Sequence, residues 1–589
     1  MKAAYCSLAA LLVAGSLLAQ DDVILRAMKD ELARSRQLRI VSLDAPYFIE
    51  YRVEDTVSTS IVATMGALVG SSETMHRIPK VRVRVGDYAF DNADHIFSDA
   101  YTGSRYDPDQ MSTDNDYTAL RQVLWLATDR AYKTAEEAIA RKRATLKNIN
   151  LTDQLPDFSK APAETALQPI RRQPVNQAFW KDRVVKLSAI FSSYPQIAWS
   201  TVELQASQST NYLLNSEGTA LRTPEDAAFI RIRAYGFTPE GAEVRDGDEI
   251  LAFDVNGLPP DAEIRRRATA VADDLTALTK APRGEAYTGP VIFESQAAAQ
   301  LFGQLLGDNL KVTRKPVADG QRRIPYTPSE LENRMGARIL PDFMDIVDDP
   351  TQSEWRGHTL LGSYQYDIEG VRARPLTLVE KGTLKSFLLT RTPVAKGMDG
   401  SNGRARMTGR FGTQSPGFGN LFVRANETVP LAELKKKLIG MCQQRNKPYG
   451  ILIRKMDFPS TGSFEELRRM AGGGQGIGAI HLVSVPLLMY RVYPDGKEEL
   501  IRGLRFRGLN TRAFKDIVAA SNESYEFDFT DSNAPLALVG AGSYTATASV
   551  IAPGVLFDEL ELEPAENEVA TPPIVPPPPL GPVKTETRD

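Results

Sequence analysis

Apolar positions recur at two spacings along the chain. Residues 23–36 (VILRAMKDELARSR) follow helical spacing and predict an amphipathic helix. PYFIEYRVED (46–55) and SIVATMGALVGS (60–71) predict strands, and KVRVRVGDYAFDN (80–92) alternates at period two. Together they predict an antiparallel sheet with one solvated face. From Tyr117 to Asn148 there is no Gly or Pro, and Leu120, Leu124, Ala127, Ala131, Ala135 and Ala138 keep helical spacing. The second half of that segment is heavily charged, so a long, partly exposed helix is expected.

The polar stretch TDQLPDFSKAPAETALQP (152–169) reads as a connector. A helix over about 175–191 leads into strands through residue 237, with a turn at Asn215-Ser216-Glu217-Gly218. IRRRATAVADDLTALTKA (264–281) predicts another helix, and PRGEAYTGP (282–290) a boundary. From Val291 to Glu563 the chain is rich in strands and Gly-bearing turns. Within it, GPVIFESQAAAQLFGQLLGD (289–308) predicts a strand running into a helix, and LAELKKKLIGMC predicts a helix ending at Cys442.

Composition narrows the picture only slightly. The 589 residues exceed one core, and 42% hydrophobic with 24% charged residues is an ordinary globular balance. A formal net charge of −4 gives no reason to expect nucleic acid as a partner. The first residues, MKAAYCSLAALLVAGSLLAQ, predict a secretory signal peptide cut after Ala19. No later run reaches the roughly 18 apolar residues of a membrane span, so the mature chain is expected to have none. The cut leaves Cys442 as the one cysteine, and a buried inert thiol is expected. The Pro-rich, acidic end (564–589) is expected to be a disordered tail.

Several stretches after residue 285 resemble the TldD/PmbA (TldE) family, the "modulator of DNA gyrase" peptidases. YDIEGVRARPLTLVEKGTLKSFLLTR (366–391) resembles its Asp-x-Glu-Gly-Val strand and following hairpin. SNGRARMTGRFGTQSPGFGNLFV (401–423) resembles its G-N-x-R loop and Asn-Leu strand. IRGLRFRGLNTRAFKDIVAAS (501–521) resembles its C-terminal strand and helix. The resemblance implies an α+β, two-domain protein. An N-terminal antiparallel sheet with long helices (20–285) would precede a C-terminal domain of curved, mostly antiparallel sheets (286–563).

Active members carry H-E-x-x-x-H on the helix after the 291–293 strand, with a further Cys ligand near the C-terminus. Zinc takes three protein donors and a water there, and the Glu removes that water's proton. In this chain the motif positions fall on Gly303, Gln304 and Asp308. Gly303 has no donor, Gln304 is no base, and only Asp308 offers an oxygen. Residues 543–562 contain no Cys. The strand and helix are closer to the metal-free PmbA/TldE branch, so no catalytic residue, metal or other cofactor is expected. An i,i+5 ligand pair also demands a distorted helix, because five residues turn a regular helix through about 500°. A chain without the metal has no evident need to keep that distortion.

The implied role is a periplasmic or secreted, non-catalytic scaffold or peptide-binding subunit in proteolysis of unfolded or short peptides. It would pair with a TldD-like catalytic subunit or with itself as a dimer. The alternatives are an active peptidase with another site and a structural protein of the envelope. Other candidates are weaker. His76, His95, His358 and His481 share no ligand spacing. AGGGQGIGAI (471–480) follows a predicted helix and precedes a strand, the wrong order for a phosphate cradle. Ser295, Ser415 and Ser463 lie in no nucleophile elbow. Arg404, Arg406 and Arg410 form a basic loop that either holds a peptide carboxylate or is solvated or ion-paired.

Overall fold

The computed structural model describes residues 22–40, 43–96, 111–147, 155–318, 326, 328–408, 414–459, 483–532 and 545–565. Helix α1 (Val23–Ser35) is followed by the hairpin β1 (Pro46–Thr64) and β2 (Ala67–Val85). Then come α2 (Tyr117–Leu146), β3 (Thr165–Leu167), α3 (Gln177–Ser188), β4 (Ile197–Asn215), β5 (Ala220–Phe237), β6 (Glu243–Ala252) and α4 (Asp261–Leu278). The strands form a 6-stranded sheet in the order β2-β1-β4-β5-β3, with β6 also on β5.

The opening hairpin differs from the sequence expectation. Two 19-residue strands replace three shorter ones, and the chain turns at Met65-Gly66. Both turn residues have positive φ, 47° and 87°, the conformation of a tight primed hairpin turn. Met is not a turn former, so the turn is hidden in the sequence. The polar run Thr56–Ser60 hid the continuity of β1. Its first hydroxyl is satisfied across the sheet, with Thr56 Oγ1 2.7 Å from Ser209 Oγ.

Helices cover parts of this sheet. Asp22 caps α1 by accepting from the Leu25 amide at 3.0 Å, and it binds Arg222 of β5 at 2.6 Å. Leu25 and Met28 of α1 pack with Leu120 and Leu124 of α2 on Tyr51 and Tyr212. The Tyr51 hydroxyl donates to Ser35 at 2.8 Å and lies 2.7 Å from Thr128, so a buried phenol ties α1, β1 and α2 together. Elsewhere Val184 and Leu187 of α3 join Ile264, Val271 and Leu275 of α4 over Leu204 and Ile230.

The second half is built on an 11-stranded mixed sheet. Its strands are β7 (Tyr287–Phe293), β8 (Met344–Asp348), β9 (Leu376–Glu380), β10 (Thr383–Leu384), β11 (Asn420–Ala425), β12 (Gly450–Met456), β13 (Pro486–Val492), β14 (Glu498–Ile501), β15 (Leu504–Phe506), β16 (Ile517–Ser532) and β17 (Thr545–Pro564). The order is β10-β9-β8-β11-β17-β7-β12-β13-β14, with β15 and β16 also on β17. The pairs β11–β17 and β7–β12 are parallel and the others antiparallel. Helix α6 (Leu431–Gln444) covers one face, with Leu434 and Leu438 on Ile292. Val291 and Phe293 point to the opposite core. Strand β7 is therefore buried on both faces, which explains its unbroken apolar run. Cys442 lies in α6, buried, and burial pushes its thiol up. The predicted C-terminal helix is only a 3-10 turn, Thr511–Asp516.

Buried ion pairs join the two sheets. Lys455 of β12 meets Asp246 of β6 at 2.6 Å, and Arg245 meets Asp457 at 2.9 Å. No helix among the described residues is long and apolar enough to cross a membrane.

Candidate functional site

The strand-to-helix passage at 289–308 is present. Strand β7 ends at Phe293, Ser295 takes φ 55°, and α5 (Gln296–Leu301) begins at once. A non-glycine residue at positive φ is uncommon and marks a sharp turn here. Beyond α5 the chain does not continue as a regular helix. Phe302–Gly307 forms a π turn, and regular helix resumes at Asp308–Leu310. This corrects the sequence expectation, since the distortion needed by an i,i+5 ligand pair is kept. A π turn bonds residue i to i+5, so 303 and 308 occupy successive turns on one side.

Packing explains why it persists. A Cβ on Gly303 would lie 3.1 Å from Val550 Cγ2 and 3.7 Å from Phe529 Cε1. A Cβ on Gly307 would lie 2.5 Å from Phe418 Cε1. Both glycines let the helix press against strands β16 and β17 and the Phe418 ring. Asn309 adds a side-chain bond, its Nδ2 donating to the Leu305 carbonyl at 2.8 Å.

The three motif positions do not converge on a metal. Gly303 supplies no donor. Gln304 Oε1 accepts from the Ser484 amide at 3.0 Å and its hydroxyl at 2.8 Å. Asp308 Oδ1 accepts from Lys311 Nζ at 2.7 Å, and the same ammonium donates to Asp531 Oδ2 at 2.7 Å. Burial works against the charge of Lys311, but Asp308 and Asp531 outweigh it and hold the ammonium above the ordinary lysine range. The C-terminal strand does pass beside the motif, and the residue it offers to position 303 is Val550. Among the described residues no group of three or more His, Cys, Asp or Glu is placed to hold a metal ion. This donor set does not fit zinc.

The basic loop is corrected in part. Arg404 is wholly buried and ion-paired with Asp348, itself wholly buried. Its remaining N–H groups reach the carbonyls of Asn402, Gly403, Asp348 and Arg374. All five donors are in use, so none is left for a peptide carboxylate. Arg406 is also buried, with its guanidinium 4.0 Å from the centre of the Tyr364 ring. Arg410 lies outside the described residues.

The remaining candidates scatter. His76 sits on β2, where burial lowers its pKa. His95 is buried, with Nε2 3.2 Å from Thr145 Oγ1. His358 is exposed, opposite Trp355 in a short hairpin. Ser295 and Ser415 lie on different elements, α5's N-terminal edge and the strand Gln414–Pro416. His481, Ser463 and the glycine run 471–480 lie outside the described residues.

Two arrangements escaped sequence reading. One is the Asp308–Lys311–Asp531 clamp, whose third member is 220 positions from Lys311. The other is the set of contacts inside the Asp-x-Glu-Gly turn, a motif visible in the sequence without them. Asp367 accepts from the amides of Glu369, Val371 and Ala405, all between 2.9 and 3.0 Å. Burial, and then Glu369, push Asp367 up to about 7. Glu369 in turn accepts from the Arg391 amide at 2.7 Å. The two acids organise this turn from inside it.

Residues 286–456 match the PmbA/TldA metallopeptidase C-terminal domain family. A metalloprotease of Methanothermobacter thermautotrophicus is 27% identical over 209 residues, 35% of this chain and 42% of the relative. Metalloprotease PmbA of Escherichia coli O157:H7 is 33% identical over 103 residues, 17% of this chain and 19% of the relative. The chain thus spans less than half the length of these curated relatives. TldE from Thermococcus kodakarensis has a similar fold, with a TM-score of 0.54 at 14% identity, covering 91% of this chain and 99% of that one.

Proposed function

Because the chain belongs to the TldD/PmbA family and is metallopeptidase-like, we propose that it is a metal-free, non-catalytic subunit that binds unfolded or short peptides for a proteolytic partner. One observation carries this reading. The π turn of Phe302–Gly307 keeps the i,i+5 geometry that a ligand pair needs, while Gly303 supplies no donor and a Cβ there would lie 3.1 Å from Val550 Cγ2. The partner is a TldD-like catalytic subunit, with self-association as the alternative.

The chain acts in the periplasm or outside the cell, after loss of residues 1–19. The apolar run ending at Ala19 supports this. So does the anchoring of Asp22, three residues beyond the cut, by Arg222 and Leu25.

The test is a pull-down of the tagged mature protein from its native cells, with mass spectrometry of both bait and prey. A bait beginning near Gln20 and a stoichiometric partner with intact H-E-x-x-x-H is expected. A bait that keeps residues 1–19, or that degrades peptides alone with bound zinc, would overturn the reading.

A further inference from the structure

Beside the motif helix lies a cavity of about 60 Å³ between the two sheets. Its walls come from β5 and β6 on one side and from α5, β12 and β16 on the other. Gln300 fixes one wall, its Nε2 donating to the carbonyls of Met456 and Phe458 at 3.1 and 2.7 Å. Met456, Phe458 and Phe527 supply apolar surface. The cavity is next to the motif, because Gln300 is only three residues from Gly303, about 4.5 Å along the helix. Phe527 also stacks on Phe529 at 5.6 Å, and Phe529 touches the Gly303 position.

The charges in this wall are unequally used. Arg231 is bound to Glu249 at 2.6 Å, and Lys455 to Asp246 at 2.6 Å. Asp248 is bound by Arg267 at 2.6 Å. Arg233 is half-buried and has no hydrogen bond or ion pair among the described residues. The acids near it are bound elsewhere, although Glu249 keeps one oxygen, Oε2, without a hydrogen bond. Glu249 belongs to Arg231, Asp457 to Arg245 at 2.9 Å, and Glu203 accepts from Gln205 at 2.6 Å. Across the sheet Arg233 faces Thr201 and Gly247, neither of which carries charge. Burial, and then Arg231, push the guanidinium below the ordinary arginine range. Its guanidinium is partly reached by solvent and its N–H groups are free to meet an anion that enters the cavity.

We propose that this cavity is the subsite for the C-terminal carboxylate of a bound peptide, with Arg233 as its anchor. The inference rests on the peptide-binding reading and adds to it the end of the peptide that is recognised. A guanidinium presents two parallel N–H groups that match a carboxylate. The cavity has room for a group of that size and not for an aromatic side chain, so the rest of the peptide must lie outside it, toward the motif helix.

The test uses a fluorescein-labelled polyalanine octapeptide ending in leucine, made once as the free acid and once as the C-terminal amide. Binding to the full chain is read by fluorescence anisotropy. The free acid should bind about 10- to 100-fold more tightly than the amide, as suits a charge-assisted pair. Arg233→Gln should abolish that difference, and Arg233→Lys should keep part of it. Thermal melting of Arg233→Gln should be unchanged or higher, since an unpaired, half-buried charge is removed. Equal binding of acid and amide to the wild type would overturn the subsite while leaving peptide binding intact. A fall of several degrees in Arg233→Gln would overturn it too, by making the residue structural. Failure of both peptides to bind would remove the peptide-binding reading together with the subsite.

Discussion

Gly303→His, Gln304→Glu and Asp308→His together restore the residue types of the protease motif, and the expected product still loses zinc on dialysis. The backbone is not the obstacle, because the π turn is already in place. The obstacle is space and donor count. An imidazole at 303 starts from a Cβ only 3.1 Å from Val550 Cγ2 and 3.7 Å from the Phe529 ring. Overpacking of this kind costs about 1–3 kcal/mol. At 308 the new imidazole loses Lys311, whose ammonium stays paired with Asp531 and is a poor neighbour for a dication. Two imidazoles fall one short of the three protein ligands usual in a catalytic site. The missing donor has a definite position, since Val550 is what the C-terminal strand offers to 303. Adding Val550→Cys therefore trims the clashing side chain and supplies a thiolate. The quadruple variant should hold about one zinc per chain through dialysis where the triple variant does not. Elemental analysis and chelator-sensitive casein hydrolysis provide the assay. Zinc retention and metal-dependent turnover by the triple variant would refute the argument. Equal zinc in triple and quadruple variants would refute the placement of Val550.

Arg404→Met should lower the urea midpoint strongly, because it strands the buried Asp348 carboxylate; breaking one side of such a pair costs about 3–5 kcal/mol, and Asp348→Asn in the same chain should restore part of it. Glu526 is pushed up to about 8 by burial, and then by Asp528. An acid whose folded pKa is raised loses stability as pH climbs from its unfolded value near 4.3 to the folded one, so Glu526→Gln should raise the melting temperature more at pH 8.5 than at pH 5, and an equal gain at both would contradict this. Deleting residues 566–589, which lack the apolar content to pack, should move the melting temperature by no more than about 2 °C, and a drop of several degrees would show that they dock.

The parts legible in the sequence were those written in local pattern. The period-two run before Gly86, the helical spacing from Leu120 to Ala138 and the doubly apolar Val291–Phe293 each matched an element, because each is set by one buried stripe or face. What stayed hidden depended on residues far apart. Met65 turns a hairpin because β1 and β2 pair along their whole length, not because Met prefers a turn. Arg404, among Gly and Thr, could be read as a peptide-carboxylate ligand or as a solvated or ion-paired loop residue, and Asp348, 56 positions away, decided for the ion pair. Arg233 looked like every other arginine on an alternating strand. Its neighbours Arg231 and Arg245 found carboxylates and it did not, and nothing local records that.

The π turn was misjudged for a related reason. Its expected loss assumed that a backbone distortion is held in place by the metal it serves. Here it is held by packing: Gly303 on Val550, Gly307 on Phe418, and Asn309 on the Leu305 carbonyl. A side chain at Gly307 would drive into the Phe418 ring and one at Gly303 would crowd Val550, and a close-packed interior answers such crowding with strain rather than with smooth adjustment. The shape of the site can therefore outlast its chemistry. That separates two questions that one motif had merged. The helix geometry speaks of what the fold tolerates, and the donors on it speak of what the chain does. Only the second is missing at 303 and 304, while the adjoining cavity, which shares the motif helix through Gln300, holds a guanidinium, that of Arg233, without an ion pair among the described residues.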